Sequence, residues 1–324
     1  MLESRSRRQR ISDEPGFLLH TVPWRETSLV AEVLSRHHGR VGLVAKGARR
    51  ARSELRAVLL SFQPLRLAWS GRSELKNLTA AQWVGGFAAP QAEGLLCAFY
   101  LNELLMRLLP REDPHPQLYD AYQQALIELG GLYAGGALSA PDLRAEREEC
   151  LRRFEWVFLR EIGYAPSLLR DNEGQSVRCD GWYQWIPEGG FQAADAGPGA
   201  AEGTPQVAGG MLQTANAVSP VVGTTLQTAN VVPLVAGTTL QGLANGTLDS
   251  DAARLQAKRL TRSILAHYLG GRALRTRQIL RALQEHRHRG VPDASAPQDG
   301  MCRGQLADAD DAQGNGYEDE GFDG

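Results

Sequence analysis

The sequence predicts an α+β protein, with an N-terminal five-stranded OB-type β-barrel, an all-helical domain, a disordered repeat insertion and an acidic tail. Short alternating runs broken by Gly and Pro predict the barrel, and a helical period that begins after Pro90 predicts the second domain. The predicted parts are a basic extension at 1–15, the barrel at 16–90, the first helices at 91–200, the insertion at 201–250, basic C-terminal helices at 251–290 and the disordered tail at 291–324.

Each barrel strand is predicted to have one core face and one solvent face. The alternation is clearest at 64–70, where Leu65, Leu67 and Trp69 oppose Arg66. Trp69 is therefore assigned to the core. The predicted strands are 17–22, 27–35, 40–46, 64–70 and 74–78.

The helices are predicted from apolar residues that recur every three to four positions and from Pro or Gly at the segment ends. The last two helices each pair an apolar stripe with a basic one. We expect the first three helices to pack as one bundle. The predicted helices are 96–108, 118–129, 142–162, 252–269 and 273–288.

A 14-residue repeat occupies much of the insertion, with units that begin at Val207, Val221 and Val235. Three units could stack as a short solenoid. The units have almost no charge, however, and contain Gly, Thr, Asn and Pro instead of a sustained apolar face. This composition favours a flexible insertion, which we expect to be dispensable for stability.

Charge is strongly segregated along the chain. Lys and Arg total 35 and Asp and Glu total 37, for a net charge of −2. Residues 1–90 carry a net +8 and residues 252–290 a net +9, whereas 91–251 carry −11 and 291–324 carry −8. Clustered cations favour a surface that binds a polyanion, because they attract phosphates. Ordinary solvated faces are the alternative.

Signatures of enzymes and metal sites are absent from the sequence. It contains no P-loop, dinucleotide-binding, zinc-protease or nucleophile-elbow motif, and no clustered acids at predicted strand ends. The four cysteines lie far apart, and the histidines lack partners at ligand spacing, which favours surface histidines and no bound metal. No apolar run is long enough to span a membrane. We expect a non-enzymatic, cytoplasmic protein without a cofactor.

Two segments carry a family resemblance. Residues 24–29 read WRETSL, and residues 39–50 read GRVGLVAKGARR, followed by a basic loop and Phe62-Gln-Pro64. Further blocks follow in the same order, including LRRFE at 151–155 and YLGGR at 268–272. The sequence resembles the RecO family of recombination mediators over about 16–191 and 251–283.

The resemblance implies a set of partners and a location. RecO family members bind single- and double-stranded DNA, anneal complementary strands, and cooperate with RecR and the single-stranded-DNA-binding protein (SSB) to load RecA. It also implies a nucleoid-associated protein of the cytoplasm. Some members carry a four-cysteine zinc module, but only Cys179 lies in the matching region here, so we expect the metal to be lost.

Candidate site residues follow from the resemblance and from charge. An OB fold binds single strands with cations that track phosphates and aromatic rings that stack on bases. Trp24 is a candidate stacking residue, although a simple strand-edge role fits it equally well. The DNA-binding candidates are Lys46, Arg49, Arg50, Arg52, Arg56, Arg66 and Trp24, and the candidates for a secondary basic surface are Arg254, Lys258, Arg262, Arg277 and Arg281.

The resemblance also implies a pocket for the acidic C-terminal tail of SSB, which ends in phenylalanine. Arg152 is predicted to lie off the core stripe, reach solvent and contact the tail, with Arg153 second. The chain's own acidic end, with Phe322, could compete for this pocket or could simply be a solubilising tail.

Two other classes of function remain open on the sequence. One is an RNA-binding or other single-strand-binding OB protein of a different pathway. The other is an accessory domain of a nuclease or ligase, which the missing carboxylate and lysine constellations disfavour.

Overall fold

The computed structural model of the chain describes residues 10–86, 88–132, 139–195, 197, 233–279 and 282–283. Five strands close into the predicted barrel in the order β1-β2-β3-β5-β4, in which only β3 and β5 pair in parallel. A short helix, α1, lies between β3 and β4. The elements are β1 (Arg10–Trp24), β2 (Ser28–Ser35), β3 (Gly39–Ala45), α1 (Glu54–Val58), β4 (Pro64–Ser70) and β5 (Leu75–Trp83).

The barrel begins earlier than predicted. Residues 10–15 were assigned to a basic extension, but they form the start of β1, where Ile11 pairs with Trp69. Glu14 is buried in this segment and accepts hydrogen bonds from the Ser35 hydroxyl at 2.7 Å and the His37 amide at 2.8 Å. A buried carboxylate is tolerated where such donors satisfy it. The strand therefore includes Glu14, although a charged residue there suggested that the strand started later.

Three long helices follow the barrel as predicted, α2 (Ala92–Leu108), α3 (Pro116–Gly131) and α4 (Ala140–Glu161). Their core includes side chains contributed by the barrel, among them Phe17, Leu19 and Phe62. At the irregularity in β1 between Leu18 and His20, the Leu19 carbonyl accepts a hydrogen bond from the Asn102 amide at 2.8 Å. The helices therefore complete the packing of the barrel.

The second domain is not all-helical, which corrects the prediction. A three-stranded antiparallel sheet in the order β7-β6-β8 packs into it, formed by β6 (Trp182–Ile186), β7 (Gly190–Ala194) and β8 (Leu234–Ala236). Tyr183, Trp185 and Phe191 are buried in the helical core. The strands are short, and β8 joins the β6–β7 hairpin from beyond residues 195–233, so alternation alone does not reveal the sheet.

The third repeat unit is ordered, so the prediction of a disordered insertion is wrong for this unit. It forms β8 and α5 (Gly237–Asn245), and Val235 and Leu240 are fully buried in the core. Gly237 permits the close packing, because a Cβ atom there would lie 1.8 Å from the Arg178 carbonyl oxygen. Residues 198–232, which hold most of the first two units, lie outside the described residues.

The chain then forms α6 (Asp251–Tyr268), with a Ser250 cap that accepts from the Ala253 amide. The last predicted helix begins at Arg275, where the Glu103 carboxylate accepts from the amides of Arg275 and Thr276 at 2.8 and 2.9 Å. The predicted acidic tail lies outside the described residues. In the part of the chain that the structure describes, no helix is long and apolar enough to cross a membrane.

Candidate nucleic-acid interface

One end of the barrel gathers most of the predicted DNA-binding residues. Strands β1, β3 and β5 run in one direction, because β3 and β5 are parallel and β2 is antiparallel to both β1 and β3; β4 runs in the opposite direction. The ends of β1, β3 and β5 therefore lie at the same end of the barrel as the start of β4. These positions are Trp24, Ala45, Trp83 and Pro64. We call this the loop end. It consists of residue 24, the turn 25–27, the segment 46–63 and residues 83–86.

The loop end is strongly basic. Segment 46–63 contains one acid, Glu54, and five cations, all of them exposed. Four of these cations form no ion pair with any other described residue, so their charges are available to a ligand. They are Lys46, Arg50, Arg52 and Arg56.

Arg49 and Arg66 have structural roles that the sequence did not reveal. The Arg49 guanidinium donates to the carbonyls of Arg25 and Glu26, both at 3.1 Å, and so ties the basic segment to the β1–β2 turn. Arg66 lies on β4, where it donates to the Asp13 carbonyl at 3.1 Å and approaches the Asp13 carboxylate at 3.6 Å. Their charges are partly compensated within the protein.

The tryptophans of the barrel have distinct environments. Trp69 is 2% exposed, which confirms its assignment to the core, and Trp24 is 41% exposed at the loop end. Trp83 is 61% exposed at the same end, and sequence reasoning missed it because the fifth strand was predicted to stop at residue 78. A strand continued through residue 83 would have placed this ring beside the basic segment.

Arg152 is buried, so the prediction that it reaches solvent is wrong. It is 5% exposed, and its Nη2 atom donates to Oε1 of the fully buried Glu155 at 2.5 Å. The Tyr100 hydroxyl donates to the same oxygen at 2.5 Å. Burial, together with the Glu155 charge, raises the pKa of Tyr100, which keeps this hydroxyl a donor.

A cleft of about 180 Å³ lies between α4 and α5. Arg152 lines it, and its Nε and Nη1 atoms have no hydrogen-bond partner among the described residues. Trp156, Leu243 and Leu248 supply apolar surface. Arg153 also lines the cleft, but it pairs with Glu128 at 2.7 Å and Glu149 at 3.3 Å.

Comparison with known proteins agrees with this architecture. The model described as "Recombination protein O N terminal" matches residues 10–87, and the one described as "Recombination protein O C terminal" matches residues 90–278. The chain belongs to the recombination protein O family. The boundary between the two matches falls between the end of β5 and the start of α2, so the barrel and the helical domain correspond to the two family domains.

Several curated relatives are similar over nearly their whole length. The DNA repair protein RecO of an Azoarcus species is 42% identical over 279 residues, which cover 86% of this chain and 98% of that protein. DNA repair protein RecO of Aromatoleum aromaticum is 41% identical, with 86% and 99% covered, and that of Thiobacillus denitrificans is 41% identical, with 85% and 94% covered. The resemblance based on motifs is therefore confirmed, and this RecO family member has a role in DNA repair and recombination.

The predicted secondary basic surface of this RecO family member is largely used for internal contacts. Arg254 donates to the Leu248 carbonyl and to Asp251, both at 2.8 Å, and Lys258 pairs with Glu148 of α4 at 2.6 Å. The charges of these two residues of the predicted basic surface are therefore partly compensated within the protein.

Arg262 and Arg277 lie near one another on the helical domain. Desolvation, followed by the like charges of Arg277 and Arg152, lowers the pKa of Arg262. Arg277 lies 5.6 Å from the centre of the Tyr100 ring. Arg281 is outside the described residues.

No group of three or more His, Cys, Asp or Glu side chains within the described ranges is placed to hold a metal ion. The exposed thiol of Cys179, the cysteine in the region that corresponds to the zinc module of some family members, lies 3.0 Å from the Gln241 side-chain oxygen.

Proposed function

We propose that this RecO family member binds single- and double-stranded DNA at the loop end, anneals complementary strands, and acts with RecR to load RecA onto DNA coated by SSB. The observation that carries the proposal is a group of four cations, Lys46, Arg50, Arg52 and Arg56, that form no ion pair with another described residue and lie at one end of a closed OB-type barrel. The names of the curated relatives support a role in DNA repair.

The arrangement suits binding rather than catalysis. Cations that contact phosphates release condensed counterions and reduce the repulsion between two strands, and base pairing then drives annealing without nucleotide hydrolysis. Contacts to phosphates carry affinity without sequence information. We therefore propose a binding protein that acts on any sequence.

The test is a triple variant, Arg50→Ala with Arg52→Ala and Arg56→Ala, measured by fluorescence anisotropy with single-stranded DNA across a salt series. Each phosphate contact on a single strand contributes about 0.7 to the slope of log K against log salt, so the loss of three contacts should reduce the slope by about 2. The folded triple variant should bind all sequences more weakly.

Arg178→Ala is a matched control, because it also removes an exposed arginine, one that already pairs with Asp180 in the helical domain. Equal affinity and slope for the triple variant and the wild type would exclude the loop end as the DNA site.

A second assay separates this function from that of a plain RNA- or DNA-binding OB protein. The proposed function predicts annealing of SSB-coated strands, whereas a plain OB protein would not act on covered strands.

We infer that the cleft between α4 and α5 receives the acidic, phenylalanine-ended tail of SSB. The unpaired Nε and Nη1 atoms of Arg152 support this, because an arginine that is 95% buried needs an acceptor for its free donors. A terminal carboxylate provides one, and an aromatic ring fits against Trp156 and Leu243. Arg153 contributes less, since two glutamates already hold it.

Two variants test the cleft by titration with an SSB tail peptide. Arg152→Ala should weaken peptide binding strongly, and because it leaves Glu155 buried without its cation, its folding must be measured too. Ala244→Glu changes an exposed residue that lines the cleft and adds a repelling charge, so it should weaken binding without loss of stability. Unchanged peptide affinity in folded Ala244→Glu protein would show that the SSB tail binds elsewhere. Both variants should bind DNA with wild-type affinity.

A further inference from the structure

The exposed apolar side chains of the barrel are concentrated at one end. Within residues 10–86, the exposed large hydrophobic side chains are Val22, Trp24, Leu60, Trp83 and Val84. Each of them belongs to the loop end or lies within two residues of it along β1. Exposed apolar surface that is clustered in this way marks a binding site more often than scattered residues do.

Trp83 is the most exposed of this group, at 61%, and its polar atom is already satisfied. The indole Nε1 atom donates to the Gln63 side-chain oxygen at 3.0 Å, which links the end of β5 to the residue just before β4. This hydrogen bond restrains the ring. What Trp83 offers to a ligand is therefore its apolar, aromatic surface.

Cations that form no ion pair with another described residue lie at the same end of the barrel as this aromatic surface. Helix α1, which carries Arg56, packs against β5, which carries Trp83. The segment that contains α1 also carries Lys46, Arg50 and Arg52. A ligand that matches this end must combine several negative charges with flat apolar faces, and single-stranded nucleic acid has both.

We propose that Trp83 is a base-stacking residue of the DNA site. The cations of the loop end hold the phosphates, and an unstacked base lies on the Trp83 ring. The inference rests on the proposed DNA binding and adds a preference to it, because the bases of a duplex are stacked on one another and are not available to the ring. The site should therefore favour single strands over duplexes.

The test compares Trp83→Leu with Trp83→Phe, using oligothymidylate and an abasic oligomer of the same length, about 16 nucleotides, the upper end of what one OB fold covers. Trp83→Leu keeps an apolar side chain but removes the aromatic face, so affinity for oligothymidylate should fall about tenfold, equivalent to about 1.4 kcal/mol. Affinity for the abasic oligomer should not change. Trp83→Phe keeps an aromatic face and should therefore retain most of the wild-type affinity for oligothymidylate. Because Trp83 is exposed, neither substitution should prevent folding.

The outcomes distinguish this inference from the proposed function. If the wild type fails to bind either oligomer, DNA binding itself is refuted. If the wild type binds both, the arginine triple variant binds neither, and Trp83→Leu loses nothing, the phosphate site stands and the stacking role is refuted. A change in the oligomeric state of Trp83→Leu by sedimentation, with unchanged DNA affinity, would instead assign the aromatic surface to contacts between copies of the chain.

Discussion

Leu240→Ala tests whether the third repeat unit is an integral part of the helical core. The Leu240 side chain is fully buried, on a helix that packs against α4, α6 and β8. Truncation of a buried leucine costs about 2–5 kcal/mol, through lost transfer free energy and the cavity that remains. With about 3 kcal/mol as a central value and about 2–4 °C per kcal/mol for a chain of this size, the melting temperature should fall by about 6–12 °C.

The repeat itself supplies the matched control, because Leu212 and Leu226 occupy the same position in the first two units. The sequence-based prediction of a flexible insertion expects no loss of stability for Leu226→Ala. Thermal unfolding followed by circular dichroism, at one protein concentration, compares the variants. A melting temperature of Leu240→Ala within about 1 °C of the wild type would refute the packing argument, and an equal loss in Leu226→Ala would refute the flexible insertion.

Four further predictions concern other parts of the molecule. Glu155→Gln should destabilise the fold by about 3–5 kcal/mol in denaturant unfolding, because it leaves the buried Arg152 without a counter-charge; a loss below about 1 kcal/mol would contradict the pairing. Burial raises the pKa of Glu14, but hydrogen bonds from Ser35 and His37 outweigh this effect and hold the pKa below its ordinary value of 4.5. The ionised carboxylate therefore stabilises the fold above pH 4.5, and this contribution is lost as the pH falls through the lowered pKa. Glu14→Gln should therefore flatten the acid limb of stability against pH, and an unchanged limb would show that other groups control it. The purified protein should hold no stoichiometric zinc and should survive chelation, which metal analysis can contradict. Removal of residues 305–324 should tighten SSB-peptide binding only if the chain's own tail competes for the cleft, and unchanged affinity would leave a solubilising role.

The regular strands and helices were predictable because the pattern of apolar and polar residues along each of them matches the pattern of buried and exposed positions. Alternation at 64–70 predicted β4 correctly, since that strand has one core face and one solvent face. The third repeat unit was misjudged because Gly, Thr and Asn are poor indicators of a core. Its order depends on tertiary contacts, such as the approach of Gly237 to the Arg178 carbonyl, which lies far away in sequence.

The candidate site shows the same division. The basic segment was found from charge, but the internal partners of Arg49 and Lys258 could not be, because a cation's partner depends on which elements meet in space. Arg152 was placed in solvent from its position on the helix. The carboxylate of Glu155, three residues later, accepts from Arg152 and also from the Tyr100 hydroxyl on another helix, and this pairing permits the burial of Arg152.

The hydrogen bond from Asn102 to the Leu19 carbonyl has a consequence for how the chain is made. The ribosome releases the whole barrel sequence before α2, yet Phe17, Leu19 and Phe62 belong to the core that the helices close. The nascent barrel therefore exposes these side chains and the Leu19 carbonyl until α2 and α3 emerge. An isolated N-terminal fragment would show the same surface, so separate expression of this barrel requires that its helix-facing side be redesigned.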